Sequence, residues 1–60
     1  MTMTEIYYEV IADISDNPSE TIYARVEYNG RIKWKTKRIA EKHAREYKAT
    51  HMRDAWVEIE

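Results

Sequence analysis

The chain has 60 residues and a net charge of −1, so it forms one domain at most, and a domain of this size buries only about 60% of its unfolded surface. It has no Cys, which excludes disulfides and thiolate metal sites, and no apolar run reaches the roughly 20 residues of a membrane span. The hydrophobic share of 43% predicts a packed core, and residues 1–5 lack the basic start and apolar core of a signal peptide. We therefore expect a soluble protein of the cytoplasm.

Charge changes sign along the chain, although the total is near zero. Residues 1–30 hold one basic residue, Arg25, against six acidic ones, whereas residues 31–53 hold nine basic residues against two acidic ones. The last seven residues add three more carboxylates. Two interpretations remain open: a solvated helix whose charges balance acidic strands, or a basic face that binds a ligand.

Two segments in the first half alternate apolar and polar side chains, and a third follows them. Residues 5–14 predict a half-buried strand whose inward side chains are Ile6, Tyr8, Val10, Ala12 and Ile14. Residues 15–20 have turn composition and predict a loop. The second strand, residues 21–27, has Ile22, Ala24 and Val26 inward. The third, residues 31–35, has Ile32 and Trp34 inward and Arg31, Lys33 and Lys35 outward.

The Asn29-Gly30 pair predicts a hairpin between the second and third strands. A two-residue turn would pair Val26 with Lys33 and mix the two faces of the sheet. A three-residue loop pairs Val26 with Ile32, so that inward residues meet inward residues. We therefore predict a type I turn with Gly30 in the left-handed bulge position.

The period then changes to 3.6, which predicts a helix from Lys37 to about Thr50 with Thr36 as its N-cap. Its apolar stripe contains Ile39, Ala40, His43, Ala44 and Tyr47. Residues 55–59 form a last strand with Ala55, Val57 and Ile59 inward. The predicted fold is α+β, in the order β-β-β-α-β: a three-stranded antiparallel meander with one helix on one face, then a short C-terminal strand. A right-handed crossover would bring that strand back parallel to the third, where it could lie beside the first strand; alternatively it pairs with a second copy of the chain.

No catalytic or cofactor-binding pattern stands out in the sequence. Ser15 and Ser19 have no His at a telling spacing, and Gly30 is the only Gly, so no phosphate-binding glycine loop is present. The chain has two His residues, and His43 is predicted to pack at the edge of the core. We therefore expect a protein that is not an enzyme and that holds no metal or cofactor.

The sheet face that the helix leaves open is the more informative surface. By parity it carries four large side chains: Tyr7, Ile11, Tyr23 and Trp56. An exposed patch of this kind marks a partner surface. Three interpretations remain open: self-association or cover by the N-terminal residues, a host or phage protein as partner, and base stacking beside Lys33 and Lys35.

The segment from Tyr23 to Tyr47, which reads YARVEYNGRIKWKTKRIAEKHAREY, resembles the arm-type DNA-binding domain of tyrosine recombinases. In that family a strand, a turn with Gly and a basic strand precede a helix that opens with a Thr-Lys type cap and an Ala-Glu pair, here Thr36-Lys37 and Ala40-Glu41. The resemblance implies DNA contacts from four residues: Arg25, Arg31, Lys33 and Lys35. Glu9, Asp13 and Glu27 lie on the same predicted face, and carboxylates that face phosphates weaken duplex binding.

In size and composition the whole chain also resembles the short early-region accessory proteins of lambda-type temperate phages. Both resemblances lead to one expectation, a non-enzymatic phage or prophage accessory protein that acts by binding in the host cytoplasm. The expected partner is nucleic acid or a host protein, and a homodimer is the remaining alternative. No membrane partner is expected.

Overall fold

The computed structural model describes residues 5–60. Residues 1–4, which entered the signal-peptide argument and the suggestion that the N-terminus covers the open face, lie outside the described residues. The elements in chain order are β1 (Tyr8–Asp13), β2 (Tyr23–Arg25), α1 (Lys37–His51) and β3 (Ala55–Ile59). In the described part of the chain, no helix has the length and apolar character needed to cross a membrane.

The three strands form one antiparallel sheet in the order β2-β1-β3. β1 lies in the centre, with Ala12 opposite Ala24 of β2 on one side and opposite Ala55 of β3 on the other. The predicted α+β class is confirmed. Of the two alternatives for the C-terminal strand, the structure has the one beside the first strand, but the predicted parallel direction is wrong, because β3 runs antiparallel to β1. β1 has a neighbouring strand on each side, and its Val10 and Ala12 side chains are fully buried.

The prediction of a third strand at residues 31–35 is wrong, and the prediction of a simple meander is therefore wrong as well. Within residues 5–60 the one contact of this segment with the sheet is a bridge between Trp34 and Tyr8, made by two backbone hydrogen bonds of 2.7 and 2.8 Å. If the register between β1 and β2 continued, Tyr8 would pair with Tyr28. It pairs with Trp34 instead. β2 already occupies this edge of β1 up to Val10, so the returning chain can pair only at Tyr8. Residues 27–33, which lie between these two contacts, form a hairpin that projects from the sheet and is not part of it.

The predicted three-residue loop is also wrong. Tyr28 and Arg31 exchange both backbone hydrogen bonds, at 2.9 and 3.0 Å, so the loop has two residues. Asn29 and Gly30 have φ values of 53° and 78°, which is the pattern of a type I′ turn. The parity argument assumed that both hairpin arms belong to the sheet. Because they project from it, no pleat forces inward residues to face each other.

The helix prediction is confirmed at both ends. Thr36 is the N-cap in an extended conformation, although its side chain makes no capping hydrogen bond. The helix ends when Met52 enters the left-handed region at φ 56°, and its N–H donates to the carbonyl oxygen of Lys48 at 2.9 Å. Lys48 and His51 in the last turn complement the negative end of the helix dipole.

The core lies between α1 and the central part of the sheet. Its buried members are Val10, Ala12, Trp34, Ala40, Ala44 and Ala55. Tyr8, Val26, Tyr47 and Val57 pack against them. The predicted inward parity is therefore confirmed in the middle of each element. It fails at the ends, where Ile6, Ile14, Ile22, Ile32, Ile39 and Ile59 are exposed. The helix approaches the sheet on two Ala residues and covers only its centre.

Candidate functional site

A groove with a volume of about 670 Å³ lies between the hairpin and the start of the helix. Residues 29–36 form most of its wall, and Tyr7 and Ile39 complete it. We call it the hairpin groove. It exists because the chain leaves the sheet after Val26 and returns at Trp34, which places the basic segment against Tyr7 instead of on a flat strand.

Lys33 and Lys35 converge on one aromatic ring in this groove. Their Nζ atoms lie 4.5 and 5.9 Å from the centroid of the Tyr7 ring, within the range of a cation–π contact. Lys33 also lies 3.4 Å from a carboxylate oxygen of Glu60, and Lys35 lies 3.6 Å from one of Glu5. Exposed ion pairs of this kind contribute about 0–1 kcal/mol, so a phosphate can replace either carboxylate at little cost.

Glu5 and Tyr7 are joined directly at the edge of the groove. The Tyr7 hydroxyl donates a hydrogen bond to the Glu5 carboxylate. This bond, followed by the charge of Lys35, lowers the pKa of Glu5, and the same bond raises the pKa of Tyr7. The contact favours ionised Glu5 and is lost as the pH falls through its lowered pKa. At neutral pH, Glu5 therefore orients the Tyr7 ring and balances Lys35.

Three of the four predicted nucleic-acid contacts line the hairpin groove: Arg31, Lys33 and Lys35. The fourth, Arg25, lies on β2, and its Nε atom is 3.1 Å from Oε2 of Glu9, without the direction of a hydrogen bond. The Glu9 side chain is only 12% exposed and stands opposite Glu58 in the sheet. Arg25 therefore balances the Glu9 carboxylate on the open face.

The predicted aromatic interface divides into two parts. The rings of Tyr23 and Trp56 meet edge to face, with 4.9 Å between their centroids. Ile11 lies opposite Trp56 in the sheet and two residues from Asp13, the partner of Tyr23. We call Ile11, Tyr23 and Trp56 the aromatic patch. The Trp56 indole N–H donates to Glu58 at 2.7 Å, which holds the ring in place. Tyr7, four residues before Ile11 on the same face, belongs to the hairpin groove instead.

The sequence argument missed two cations that lie in the sequence between Thr36 and Ile39, which both line the hairpin groove. Lys37 and Arg38 occupy the first turn of α1, which contains no acidic residue. Neither has an ion-pair partner within residues 5–60, and the same holds for Arg31. First turns normally favour Asp and Glu because of the helix dipole, so two cations there were a readable signal. They add positive potential where the helix already has its positive end.

His43 lies at the core edge, as predicted, between the rings of Tyr28 and Trp34 at centroid distances of 4.3 and 5.0 Å. Its Nδ1 atom is buried without a hydrogen-bond partner, and the nearest Glu46 oxygen is 4.0 Å away. The ring is therefore packed but not fully satisfied. Across the described residues, no three His, Asp or Glu side chains form a cluster that could hold a metal ion.

Comparison of the chain with protein-family models, with curated proteins and with solved structures found no match. Its function must therefore be inferred from the contacts and charges of the molecule itself.

Proposed function

We propose that the protein is a non-enzymatic accessory protein, of phage or prophage origin, that binds single-stranded nucleic acid in the hairpin groove. In this proposal Lys33 and Lys35 contact phosphates and Tyr7 stacks on a base. Arg31, which lines the groove, and Arg38, in the first turn of the helix, supply further positive charge.

The observation that carries the proposal is the convergence of two lysines on one aromatic ring inside a groove. Binding of single strands requires cations that follow the backbone and an aromatic face for the bases, and the hairpin groove supplies both within a few ångströms. A bound strand would replace Glu5 and Glu60 by phosphates and the Lys33 ammonium by a base on the Tyr7 ring. Each exchange is inexpensive because the contacts are exposed.

A duplex fits this molecule less well than a single strand. The open sheet face carries Glu9, Asp13 and Glu58, and Arg25 is already paired with Glu9. A duplex laid on this face would bring its phosphates against carboxylates, which weakens binding. The hairpin groove lies to one side of that face, where the described cations outnumber the carboxylates.

The test is fluorescence anisotropy of a labelled single-stranded oligonucleotide, titrated with protein between 50 and 200 mM salt. We expect binding that weakens with salt, and Lys33→Gln with Lys35→Gln should reduce the slope of log K against log salt by roughly 1.4, since each lost phosphate contact on a single strand contributes roughly 0.7. The matched control, Lys42→Gln with Lys48→Gln, changes the net charge equally on another part of the helix surface and should preserve the slope.

Two results would overturn this proposal. One is the absence of binding at 50 mM salt with tens of micromolar protein. The other is an equal loss in both double variants, which would show that affinity follows net charge alone. Circular dichroism of each variant establishes that the fold is intact.

A second function is favoured by the aromatic patch, which would bind a host protein. Tyr23 is 54% exposed, yet its ring is held against Trp56, and pre-oriented aromatic side chains supply much of the energy of protein interfaces. Under this alternative Tyr23→Ala abolishes the binding of a host protein and leaves oligonucleotide binding unchanged. Loss of oligonucleotide binding in Tyr23→Ala with normal host-protein binding would exclude it.

A further inference from the structure

The outer edge of β3 pairs with no other strand within residues 5–60. Asp54 accepts a hydrogen bond from the N–H of Asp13 at 3.0 Å, and the N–H of Glu60 donates to Tyr7 at 3.0 Å. Backbone direction alternates along a strand, so the even-numbered residues of β3 point their amides at β1. Ala55, Val57 and Ile59 therefore point their N–H and C=O groups away from the sheet.

This edge lacks several of the features that protect edge strands, and Glu58 is the one charged residue of β3. β3 pairs with β1 over five consecutive residues without a bulge, and it contains no Pro, Gly, Lys or Arg. The opposite edge is different, because β2 has only three residues and the projecting hairpin follows it. β3 is thus the open template for strand addition.

We infer that β3 pairs with β3 of a second copy, antiparallel, around a two-fold axis at Val57, to form a continuous six-stranded sheet. In this register Val57 lies opposite Val57 of the second copy, and Ala55 lies opposite Ile59 of the second copy. Every residue whose N–H and C=O groups point outward therefore faces another such residue. Three such pairs with two hydrogen bonds each supply about six new backbone hydrogen bonds.

Side chains also fit this register. On the helix side a small residue, Ala55, opposes a large one, Ile59, which is 68% exposed in the single chain. A groove of about 500 Å³ runs between α1 and β3, with Ala44, Ala55 and Val57 among its lining residues. The small Ala side chains leave room there for the partner's Ile59. On the other face Trp56 opposes Glu58, the pair that is already hydrogen-bonded within one chain.

Charges on the two faces of this edge are separate. Glu58 shares the open face with Trp56, whereas the helix wall of the groove, on the other face, carries Lys37, Arg45 and Lys48 against Glu41. In the proposed dimer the two helix walls face each other across the β3 pair, and Asp54 meets Glu60 beyond each end of the ladder. Both contacts bring like charges together, so dimerisation should strengthen as the salt concentration rises, whereas binding of nucleic acid should weaken.

The test is sedimentation equilibrium of the full chain between 10 μM and 1 mM. We expect a monomer–dimer equilibrium that Ile59→Lys weakens at least tenfold, because the lysine faces Ala55 of the partner but lies in solvent in the monomer. Ile22→Lys is the matched control, since Ile22 is an exposed isoleucine on the opposite edge, and it should dimerise like the wild type.

Hydrogen exchange of single amides locates the interface independently of folding defects. In the dimer the amides of Ala55, Val57 and Ile59 should gain protection as the concentration rises, and that of Ile22 should not. The inference is overturned if the wild type stays monomeric at 1 mM, or if a dimer forms without protection of these three amides. A dimer that Tyr23→Ala disrupts and Ile59→Lys does not would place the contact on the aromatic patch instead. None of these outcomes depends on whether the hairpin groove binds nucleic acid.

Discussion

The two edges of the sheet are built on the same central strand and have opposite character. On the β3 edge, pairing with β1 runs unbroken over five residues, and the outer backbone groups of β3 have no partner strand within residues 5–60. On the β2 edge, pairing stops after three residues, the chain projects as a hairpin, and Trp34 restores contact at Tyr8. The difference teaches that a broken ladder creates concave surface, whereas an intact ladder creates a strand that can pair again.

The largest expected effect tests what holds the interrupted edge. Trp34 is 5% exposed, and it packs against His43 and bridges to Tyr8. We expect Trp34→Ala to lower the free energy of unfolding by about 3–5 kcal/mol, which is close to the whole stability of a small domain. Urea denaturation followed by circular dichroism measures it. Trp56→Ala on the other edge removes a half-buried indole and should cost clearly less; an equal loss would show that Trp34 does not anchor its edge.

Next in size is the part of Tyr7 in the hairpin groove. Truncation of a stacking residue costs about 1–3 kcal/mol per base, so we expect Tyr7→Ala to weaken oligonucleotide binding by about 5- to 150-fold. Tyr7→Phe keeps the ring but loses the hydrogen bond to Glu5, and it should retain most of the affinity. Anisotropy titrations at one salt concentration compare the three proteins. Equal losses in both variants would show that the hydroxyl, rather than the ring, is what matters.

A smaller effect concerns the turn that leads into the intact edge. Met52 ends the helix at φ 56°, where a side chain is strained and Gly is not. Its side chain is 87% exposed, so its removal sacrifices no packing. We expect Met52→Gly to raise the free energy of unfolding by about 0.5–1 kcal/mol. Met52→Ala keeps the strain and should bring no gain, so an equal gain in both variants would refute the explanation.

The smallest effect lies where the two edges are tied together beyond the end of β1. The N–H and hydroxyl of Ser15 donate to Oδ1 of Asp13 at 2.9 and 2.6 Å, and Arg53 donates to the carbonyl oxygen of Ser15. The hydroxyl bond, then the N–H bond, then the charge of Arg53 lower the pKa of Asp13. The stability that follows is present above the ordinary Asp pKa of 3.8 and is lost as the pH falls through the lowered value.

We therefore expect Ser15→Ala to move the pKa of Asp13 back towards its ordinary value, as measured by an NMR titration of the carboxyl carbon. The difference in stability between Ser15→Ala and the wild type should be present at neutral pH and should disappear in strong acid. Ser19→Ala, which removes the analogous bond to Asn17 in the same loop, should leave Asp13 unchanged. A pKa that does not move in Ser15→Ala would contradict this account.

The candidate sites show how far residue patterns reach. Parity placed Arg31, Lys33 and Lys35 away from the core, and they are exposed. It could not show that two of them reach Tyr7, because that contact depends on the hairpin leaving the sheet. The aromatic patch was predicted as four residues, but pairing with β1 unites only Ile11, Tyr23 and Trp56. Arg25 was predicted as a ligand contact, yet the register sets it beside Glu9, a neighbour that depends on strand pairing.

Local periodicity alone determined the central strand, the helix and its N-cap position, the last strand and the inward side chains of their central residues. These properties depend on neighbours within one turn or two residues, so a pattern carries them. The tertiary structure decided the rest: how β1's two edges are shared, where the hairpin leaves the sheet, and which isoleucines stay uncovered. Only one strand can occupy each edge of β1 at a given residue. That competition takes place between segments distant in sequence, and no local pattern records its outcome.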